Sequence, residues 1–241
     1  MWLLLVFAIV ITLAWCGMRL VQDRCSRRTI GAGRLSTLRR VLIVIAHPDD
    51  ECMFFAPTIR QLLKHDCDLY LLCLSSGGYR SGQNVTRKRE LRDACTRLGM
   101  RTNQITIIEH TRLPDDPTFL WPKKLVADIV LHNVEQLSVD TVITFDQWGV
   151  SLHPNHRALC LALQFLYTHH KLPSNSQVLV LDTVNLMRKY SACLDILLSM
   201  YTSVFCFVLS PADVSLVRQA MYECHRDVDE RQENKNALMI C

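Results

Sequence analysis

Two short stretches of the chain concentrate side chains that could bind a metal ion and move protons. The first is HPDDE at residues 47–51, and the second is HPNH at residues 153–156. Histidine nitrogens and aspartate oxygens are ligands of catalytic zinc, which takes three protein ligands and leaves one position for water. The metal lowers the pKa of that water from about 15.7 to about 7. The two stretches therefore indicate a metal-dependent hydrolase.

Spacing alone does not assign a role to each residue of these stretches. The candidates are His47, Asp49, Asp50, Glu51, His153 and His156. If Pro154 opens a helix, His153 and His156 are one turn apart and could face the same cavity. The competing interpretation is structural, because Asp49 or Asp50 could simply cap a helix. Two such clusters at equivalent ends of one sheet favour a metal or catalytic site.

Each cluster follows a predicted buried strand. Residues 40–46 are a continuous β-branched run, typical of a strand that is buried on both faces. Residues 140–145 form a second such strand, followed by Asp146. Ligands of open α/β sheets bind outside the carboxyl ends of the strands, so we expect both clusters at one edge.

The rest of the chain alternates between strand and helix patterns. Further strands are predicted over residues 68–75, 105–108, 177–181 and 203–209. Helices are predicted over residues 51–65, 84–98, 123–137, 154–168 and 211–224, the last beginning at Ser210-Pro211. This alternation predicts a Rossmann-like three-layer αβα sandwich with a mostly parallel sheet.

The amino-terminal residues predict one transmembrane helix. Residues 2–18 carry no charge, and an apolar helix of this length spans roughly 25–30 Å. A cleaved signal peptide is the alternative, but it needs basic residues before the apolar run, and here they all follow it. The positive-inside rule then places the domain in the cytosol. We expect an anchor over residues 1–22, a basic linker over 23–38, a cytosolic domain over 39–225 and a polar tail over 226–241.

Composition narrows the partners and the compartment. The formal net charge is +4, and its basic groups lack the interleaved aromatic residues of a nucleic-acid platform, so no nucleic-acid partner is expected. The eleven cysteines form no CxxC pair, and several lie within apolar runs. This usage favours a reducing compartment over a disulfide framework.

The segments VIAHPDDECMFFAP and TFDQWGVSLHPNH resemble the two signatures of the N-acetylglucosaminyl-phosphatidylinositol (GlcNAc-PI) de-N-acetylase family. That family also includes bacterial deacetylases of the mycothiol and bacillithiol pathways. The resemblance covers roughly residues 40–225 and is highly specific. It implies removal of acetate from GlcNAc-PI, an early step of glycosylphosphatidylinositol-anchor synthesis. It also implies the endoplasmic reticulum membrane as the location and a divalent metal, zinc, as the cofactor.

The same resemblance implies a role for each residue of the two clusters. His47, Asp50 and His156 match the metal ligands of the family. Asp49 matches the base that activates the water. His153 matches the residue that stabilises the tetrahedral intermediate and protonates the departing amine.

Further positions are expected near the substrate. Asp146 matches a family position that could orient a histidine. Arg87 and Glu90 could reach the substrate, with the arginine on its phosphodiester; the alternative is a solvated helix face with local charge pairs. Asn155 stands where bacterial members often carry aspartate.

Two other functions remain open from the sequence. One is the same chemistry on a soluble N-acetylglucosaminide. The other is a catalytically inactive, membrane-tethered interaction protein, because the polar tail over residues 226–241 departs from the family pattern.

Overall fold

The computed structural model of the chain describes residues 37–65, 67–77, 83–184 and 203–224, together with positions 2, 6, 12 and 199. Strands and helices alternate along these ranges. In chain order they are β1 (Arg40–Ile45), α1 (Asp50–Met53), α2 (Ala56–Lys64), β2 (Asp68–Cys73), α3 (Asn84–Arg97), β3 (Ile105–Ile107), α4 (Lys123–Gln136), β4 (Thr141–Phe145), α5 (Gly149–Leu152), α6 (Pro154–Thr168), β5 (Gln177–Leu181) and α7 (Pro211–Cys224).

The five strands form one parallel sheet in the order β3-β2-β1-β4-β5. The register pairs Val41 of β1 with Leu69 of β2 on one side and with Thr141 of β4 on the other. Every residue of β4 is buried, and so is β1 after Arg40, as expected for the middle of a covered parallel sheet. The predicted parallel α/β sheet of Rossmann-like type is confirmed.

The helices pack in two groups. α4 contacts α6, which also contacts β1 and β4, whereas α7 contacts α3 and α2 contacts β2. Crossovers between parallel strands are almost always right-handed. The connections from β1 to β2 and β3 step one way along the sheet, and those from β3 to β4 and β5 step the other way. The two groups of helices therefore cover opposite faces.

The strand order reverses between β1 and β4. The chain leaves β1 towards β2 and leaves β4 towards β5, so the loops after these strands diverge. Such a reversal opens a crevice at the carboxyl edge of a sheet, where ligands bind in this architecture. Both predicted clusters lie at this crevice.

The predicted helix over residues 51–65 is two helices. α1 ends at Met53 and α2 begins at Ala56, because the Phe54 and Phe55 side chains between them turn into the core. Both rings contact Phe145 edge-on, with centroids 5.5 Å and 5.0 Å away. Burial of two aromatic rings favours a break in the helix over its continuation.

The predicted strand over residues 203–209 is wrong, since the segment holds only a single bridge, at Cys206. The carbonyl of Val208 accepts a hydrogen bond from Gln61 Nε2 at 3.2 Å, so a side chain of α2 binds this backbone. The predicted start of the next helix is correct. Ser210 Oγ accepts a hydrogen bond from the Asp213 N–H at 3.2 Å and caps α7.

Within the described ranges, no helix is long and apolar enough to span a bilayer. The predicted anchor over residues 1–22 lies outside those ranges apart from single positions, and the tail over 226–241 lies wholly outside them.

Candidate active site

The turn after β1 is closed by Asp50. Its Oδ2 accepts hydrogen bonds from the backbone N–H groups of Ala46 at 3.0 Å and His47 at 2.9 Å. The preceding residue, Asp49, has a φ of 125°. This conformation costs a non-glycine residue on the order of 1–3 kcal/mol and is found at functional sites, where the surrounding structure maintains it. The carboxylates also differ in exposure, with 2% for Asp50 and 18% for Asp49.

The loop after β4 is held by Asp146. Its Oδ1 accepts the N–H of Gly149 at 2.9 Å, and its Oδ2 accepts the N–H of Thr183, after β5, at 2.7 Å. Gly149 has a φ of 56°, and a Cβ there would lie 2.8 Å from the Cβ of His156, so glycine is needed. Asp146 thus positions Gly149, whose carbonyl contacts His156.

The start of α6 brings two histidines together. Pro154 opens the helix, and His153 caps it, its Nδ1 accepting the Asn155 N–H at 3.3 Å. His156 lies one turn further on, stacked on the Phe145 ring with centroids 4.0 Å apart. The two histidine rings are 4.8 Å apart, as expected if they face one cavity.

His47 joins this pair from the end of β1. Its ring lies 4.9 Å from that of His153 and 5.3 Å from that of His156. One nitrogen from each of the three rings lies within 4.8 Å of the others. Asp50 completes the group, with Oδ1 3.2 Å from His156 Nε2 and Oδ2 3.9 Å from His47 Nδ1.

The partners of each histidine indicate which ring nitrogen carries the proton. His156 Nδ1 lies 3.1 Å from the Gly149 carbonyl, which can only accept, so in the neutral ring the lone pair is on Nε2, where a proton or a metal shared with Asp50 can bind. His47 Nε2 lies 3.2 Å from Asp115 Oδ1, an acceptor that favours a proton on Nε2 and a lone pair on Nδ1. The Asn155 amide at the same nitrogen fits this tautomer when its Oδ1, otherwise without a partner among the described residues, faces Nε2 in place of Nδ2. His153 is the opposite case. Because its Nδ1 accepts an amide N–H, the neutral ring carries its proton on Nε2.

Burial and charge set different pKa values in this group. Burial lowers the pKa of His47 to about 4, against the attraction of Asp50. Burial, and then the proximity of His156, lowers the pKa of His153. Burial also disfavours charge on His156, but the Asp50 carboxylate outweighs it and raises that pKa. Burial would raise the pKa of Asp50, yet His156 holds it below its usual range. At neutral pH, His47 and His153 are therefore uncharged and Asp50 is ionised.

A divalent metal fits between these side chains. His156 Nε2 is buried and makes no hydrogen bond of good geometry to any described residue, although Asp50 Oδ1 is 3.2 Å away. In the neutral form of His156, its Nε2 lone pair and the Asp50 oxygen face each other and are stabilised by a cation between them, either a proton or a metal ion. Ligands bound tetrahedrally to zinc at about 2.0–2.1 Å lie ~3.3 Å from one another. The pair therefore has the spacing of two ligands of one metal.

Arg87 is buried against the strained turn. Its Nη2 donates to Asp49 Oδ2 at 3.1 Å and to the Pro48 carbonyl at 2.6 Å, and its Nη1 donates to Asp115 Oδ2 at 3.1 Å. Gly77, with a φ of 65°, leaves the space that the guanidinium occupies, because a Cβ there would overlap it. Arg87 thus bonds within the protein, at the base of the site. Glu90 is half-buried one turn further along α3, and its expected contact with substrate stays a prediction.

The sequence did not predict that Asp115 and Trp121 lie beside His47, and it did not assign a role to Asn155. Asp115 lies in the proline-containing loop after β3, and Trp121 packs edge-on against His47 with ring centroids 5.9 Å apart. The loop that holds Asp115 and Trp121 follows the carboxyl end of a strand, and this position could have predicted that both lie near the site. Asn155 is fully buried, with Nδ2 2.9 Å from His47 Nε2.

A cavity of about 350 Å³ opens beside Asp115, between the ends of β2 and β3. Its walls include Ser75, Ser76, Asn84, Glu109 and His110. The cavity gives a ligand room next to the histidine cluster.

Sequence comparison places both clusters in one known family. Residues 42–165 match the family described as PIG-L, GlcNAc-PI de-N-acetylase. The N-acetylglucosaminyl-phosphatidylinositol de-N-acetylase of Bos taurus is 44% identical over 188 residues, which are 78% of this chain and 74% of the bovine protein. The probable N-acetylglucosaminyl-phosphatidylinositol de-N-acetylase of Dictyostelium discoideum is 32% identical over 183 residues, 66% of this chain and 70% of that protein.

Solved structures share the fold at lower identity. N,N'-diacetylchitobiose deacetylase from Pyrococcus horikoshii has a TM-score of 0.52 and 17% identity, with 82% of both chains covered. The zinc-inhibited form of teicoplanin deacetylase Orf2 has a TM-score of 0.57 and 14% identity, with 81% of this chain and 88% of that chain covered. These likenesses concern the fold, whereas the sequence matches identify the family. The chain belongs to the GlcNAc-PI de-N-acetylase family.

Proposed function

We propose that the chain is a metal-dependent amide hydrolase that removes the acetyl group from GlcNAc-PI, releasing acetate and glucosaminyl-phosphatidylinositol. The observation that carries this proposal is the meeting of Asp50 Oδ1 and His156 Nε2, 3.2 Å apart, where the strand order reverses. The substrate is proposed from family membership, since relatives named for this activity align over most of the chain.

His47 Nδ1, Asp50 Oδ1 and His156 Nε2 would hold the metal. Their other polar atoms are bonded to the protein, so each side chain is oriented before the metal arrives. When bound, a divalent metal such as zinc polarises the acetamide carbonyl and lowers the pKa of a water ligand to about 7. Zinc is proposed because two imidazoles and a carboxylate are a typical set of catalytic zinc ligands, although such ligands also suit other transition metals.

Asp49 is the proposed general base. It is adjacent to a proposed ligand but is not one itself, and Arg87 fixes its carboxylate from the protein side. In this role Asp49 takes a proton from the water that attacks the acetamide carbon. A carboxylate held within hydrogen-bond reach of that water can provide about 10²–10⁴-fold acceleration.

His153 is the proposed proton donor. Its Nδ1 is engaged by the Asn155 N–H, so the neutral ring presents an N–H at Nε2. That group can donate a hydrogen bond to the carbonyl oxygen as negative charge develops there. His153 accepts, as an imidazolium, the proton that Asp49 took from the water. When the C–N bond breaks, it passes one proton to the departing amine and returns to its neutral form.

We place the enzyme in the endoplasmic reticulum membrane, with residues 2–18 as a single-pass anchor and the domain in the cytosol. The uncharged run followed by arginines supports this orientation. A reduced thiol in the described domain, such as that of Cys73, is consistent with a reducing compartment.

Substrate discrimination tests the proposal. The full chain in detergent, loaded with zinc, is assayed for free amine on GlcNAc-PI and on a lipid-free N-acetylglucosaminide. We expect turnover of the glycolipid at a kcat/KM at least about tenfold above that of the soluble glycoside. Equal turnover of both would instead favour a soluble substrate, and no turnover of either would favour an inactive protein.

A further inference from the structure

We propose that four exposed apolar side chains around the mouth of the active site dock on an anionic phospholipid surface. They are Phe119 and Leu120 in the loop before α4 and Trp148 and Leu152 at the two ends of α5, and together they are called the apolar rim. This inference rests on the proposed function, because it concerns how the site reaches a substrate that lies in a membrane.

The first half of the rim precedes α4. Phe119 is 42% exposed and Leu120 is 50% exposed. The next residue, Trp121, is buried and packs against His47, and its Nε1 donates to the Pro114 carbonyl at 2.8 Å. The two exposed residues are thus held by a side chain that itself contacts the site.

The second half of the rim follows β4. Trp148 is 55% exposed and Leu152 is 58% exposed. The Trp148 N–H bonds to the carboxylate of Asp146 at 3.0 Å, and Leu152 directly precedes His153. This half is therefore as rigidly connected to the histidine cluster as the first.

The two halves lie at the same edge of the sheet. One loop leads to Trp121 against His47, and the other leads to Gly149, whose carbonyl contacts His156. The His47 and His156 rings lie 5.3 Å apart, so the two halves of the rim are attached to the same crevice. Large apolar side chains exposed at such an entrance are unfavourably hydrated unless a partner covers them.

Charge and residue type indicate a lipid surface as that partner. Tryptophan and phenylalanine are enriched at membrane interfaces. Exposed basic residues follow each half of the rim in sequence, namely Lys124 after the first and Arg157 after the second, whereas the Lys123 ammonium lies over the Phe165 ring of α6. Basic residues beside inserted apolar side chains complement anionic lipids. The proposed substrate is itself an anionic lipid, and its headgroup must enter at this edge.

The proposed role of the apolar rim is tested by comparing activity on substrate in vesicles with activity on a soluble analogue. The full chain is reconstituted with GlcNAc-PI in vesicles that contain anionic phospholipid, and is separately assayed on a monomeric dihexanoyl analogue. We expect the Phe119→Ser/Trp148→Ser double variant to lose about tenfold or more in kcat/KM on the vesicle substrate while keeping its activity on the soluble analogue. Tyr167→Ser is the matched control, because Tyr167 is 66% exposed at the far end of α6. Activity on both substrates should be unchanged in this control.

Equal losses on both substrates, or no loss on either, would contradict the proposed role of the apolar rim. Inactivity of the wild type on both substrates would instead contradict the proposed function. A second measurement keeps the test independent of activity. Lipids brominated near the carbonyl should quench a fluorescence component that is present in the wild type and missing in Trp148→Phe. If vesicles leave this component unquenched, or if it responds only to protein concentration, Trp148 contacts water or another copy of the chain.

Discussion

The Arg87 guanidinium lies 3.1 Å from the carboxylate of Asp49, a residue whose φ of 125° is uncommon for any side chain but glycine. The same guanidinium donates to the carbonyl of Pro48 at 2.6 Å, within the strained turn itself. Arg87 therefore stabilises both the backbone of this turn and the direction of the carboxylate that we propose as the base.

This geometry predicts the effect of Arg87→Lys. An ammonium cannot reproduce the fork that reaches Asp49, Pro48 and Asp115 together. We expect kcat to fall by about 10–100-fold with KM and metal content nearly unchanged, as for a residue that positions the base. Steady-state kinetics on GlcNAc-PI and metal analysis measure this. A large increase in KM with kcat preserved would show instead that Arg87 binds substrate.

Gly77→Ala should also disturb the contact between Arg87 and Asp49, because it displaces the guanidinium. A Cβ at Gly77 would overlap the Arg87 guanidinium, and the φ of 65° disfavours alanine by about 1–2 kcal/mol. Gly99→Ala is the control, because Gly99 also has a positive φ but lies beside Arg60. We expect both variants to lose stability in urea unfolding, and only Gly77→Ala to lose activity per folded molecule. Equal activity losses would mean that strain alone, without Arg87, explains the effect.

Substitutions of the adjacent residues Asp49 and Asp50 should differ in their effect on metal affinity. Asp49→Asn is expected to bind zinc with nearly wild-type affinity while its kcat falls by about 10²-fold or more. Asp50→Asn should lose most of its metal affinity, since it removes a proposed ligand that also closes the turn. Circular dichroism checks that both variants are folded. Metal loss in Asp49→Asn, or full retention in Asp50→Asn, would reverse the proposed roles.

The ion pairs that hold α7 should make stability depend on pH. Burial raises the pKa of Asp213, but hydrogen bonds from Lys64, Ser210 and Arg60 outweigh it and lower the pKa from 3.8 to about 2. A depressed folded-state pKa gives stability that is present above pH ~4 and is lost as the pH falls towards ~2.

The difference in unfolding free energy between wild type and Asp213→Asn is therefore expected to be constant from pH 7 to about 5. It should shrink below pH 4. Urea titrations at several pH values measure it, and a difference that is undiminished at pH 2.5 would contradict the ion pairs as its source.

The sequence was informative where one local signal dominated. The apolar runs of β1 and β4 fixed the centre of the sheet, and their ends placed His47 and His156 at one edge. Contacts between segments that are distant along the chain could not be predicted from the sequence. Nothing in the spacing brings Arg87 onto Asp49, since that contact depends on how α3 packs against α1. Likewise, the break at Phe54 depends on contact with Phe145, which only the folded sheet provides.

The most direct test is release of acetate from GlcNAc-PI by the purified full chain as a function of bound metal. We expect a chelated protein to be inactive and zinc to restore turnover until about one ion is bound per chain. His156→Ala should respond to zinc neither in binding nor in turnover. Full activity in the metal-free protein, or in His156→Ala, would contradict a metal centre at the meeting of β1 and β4.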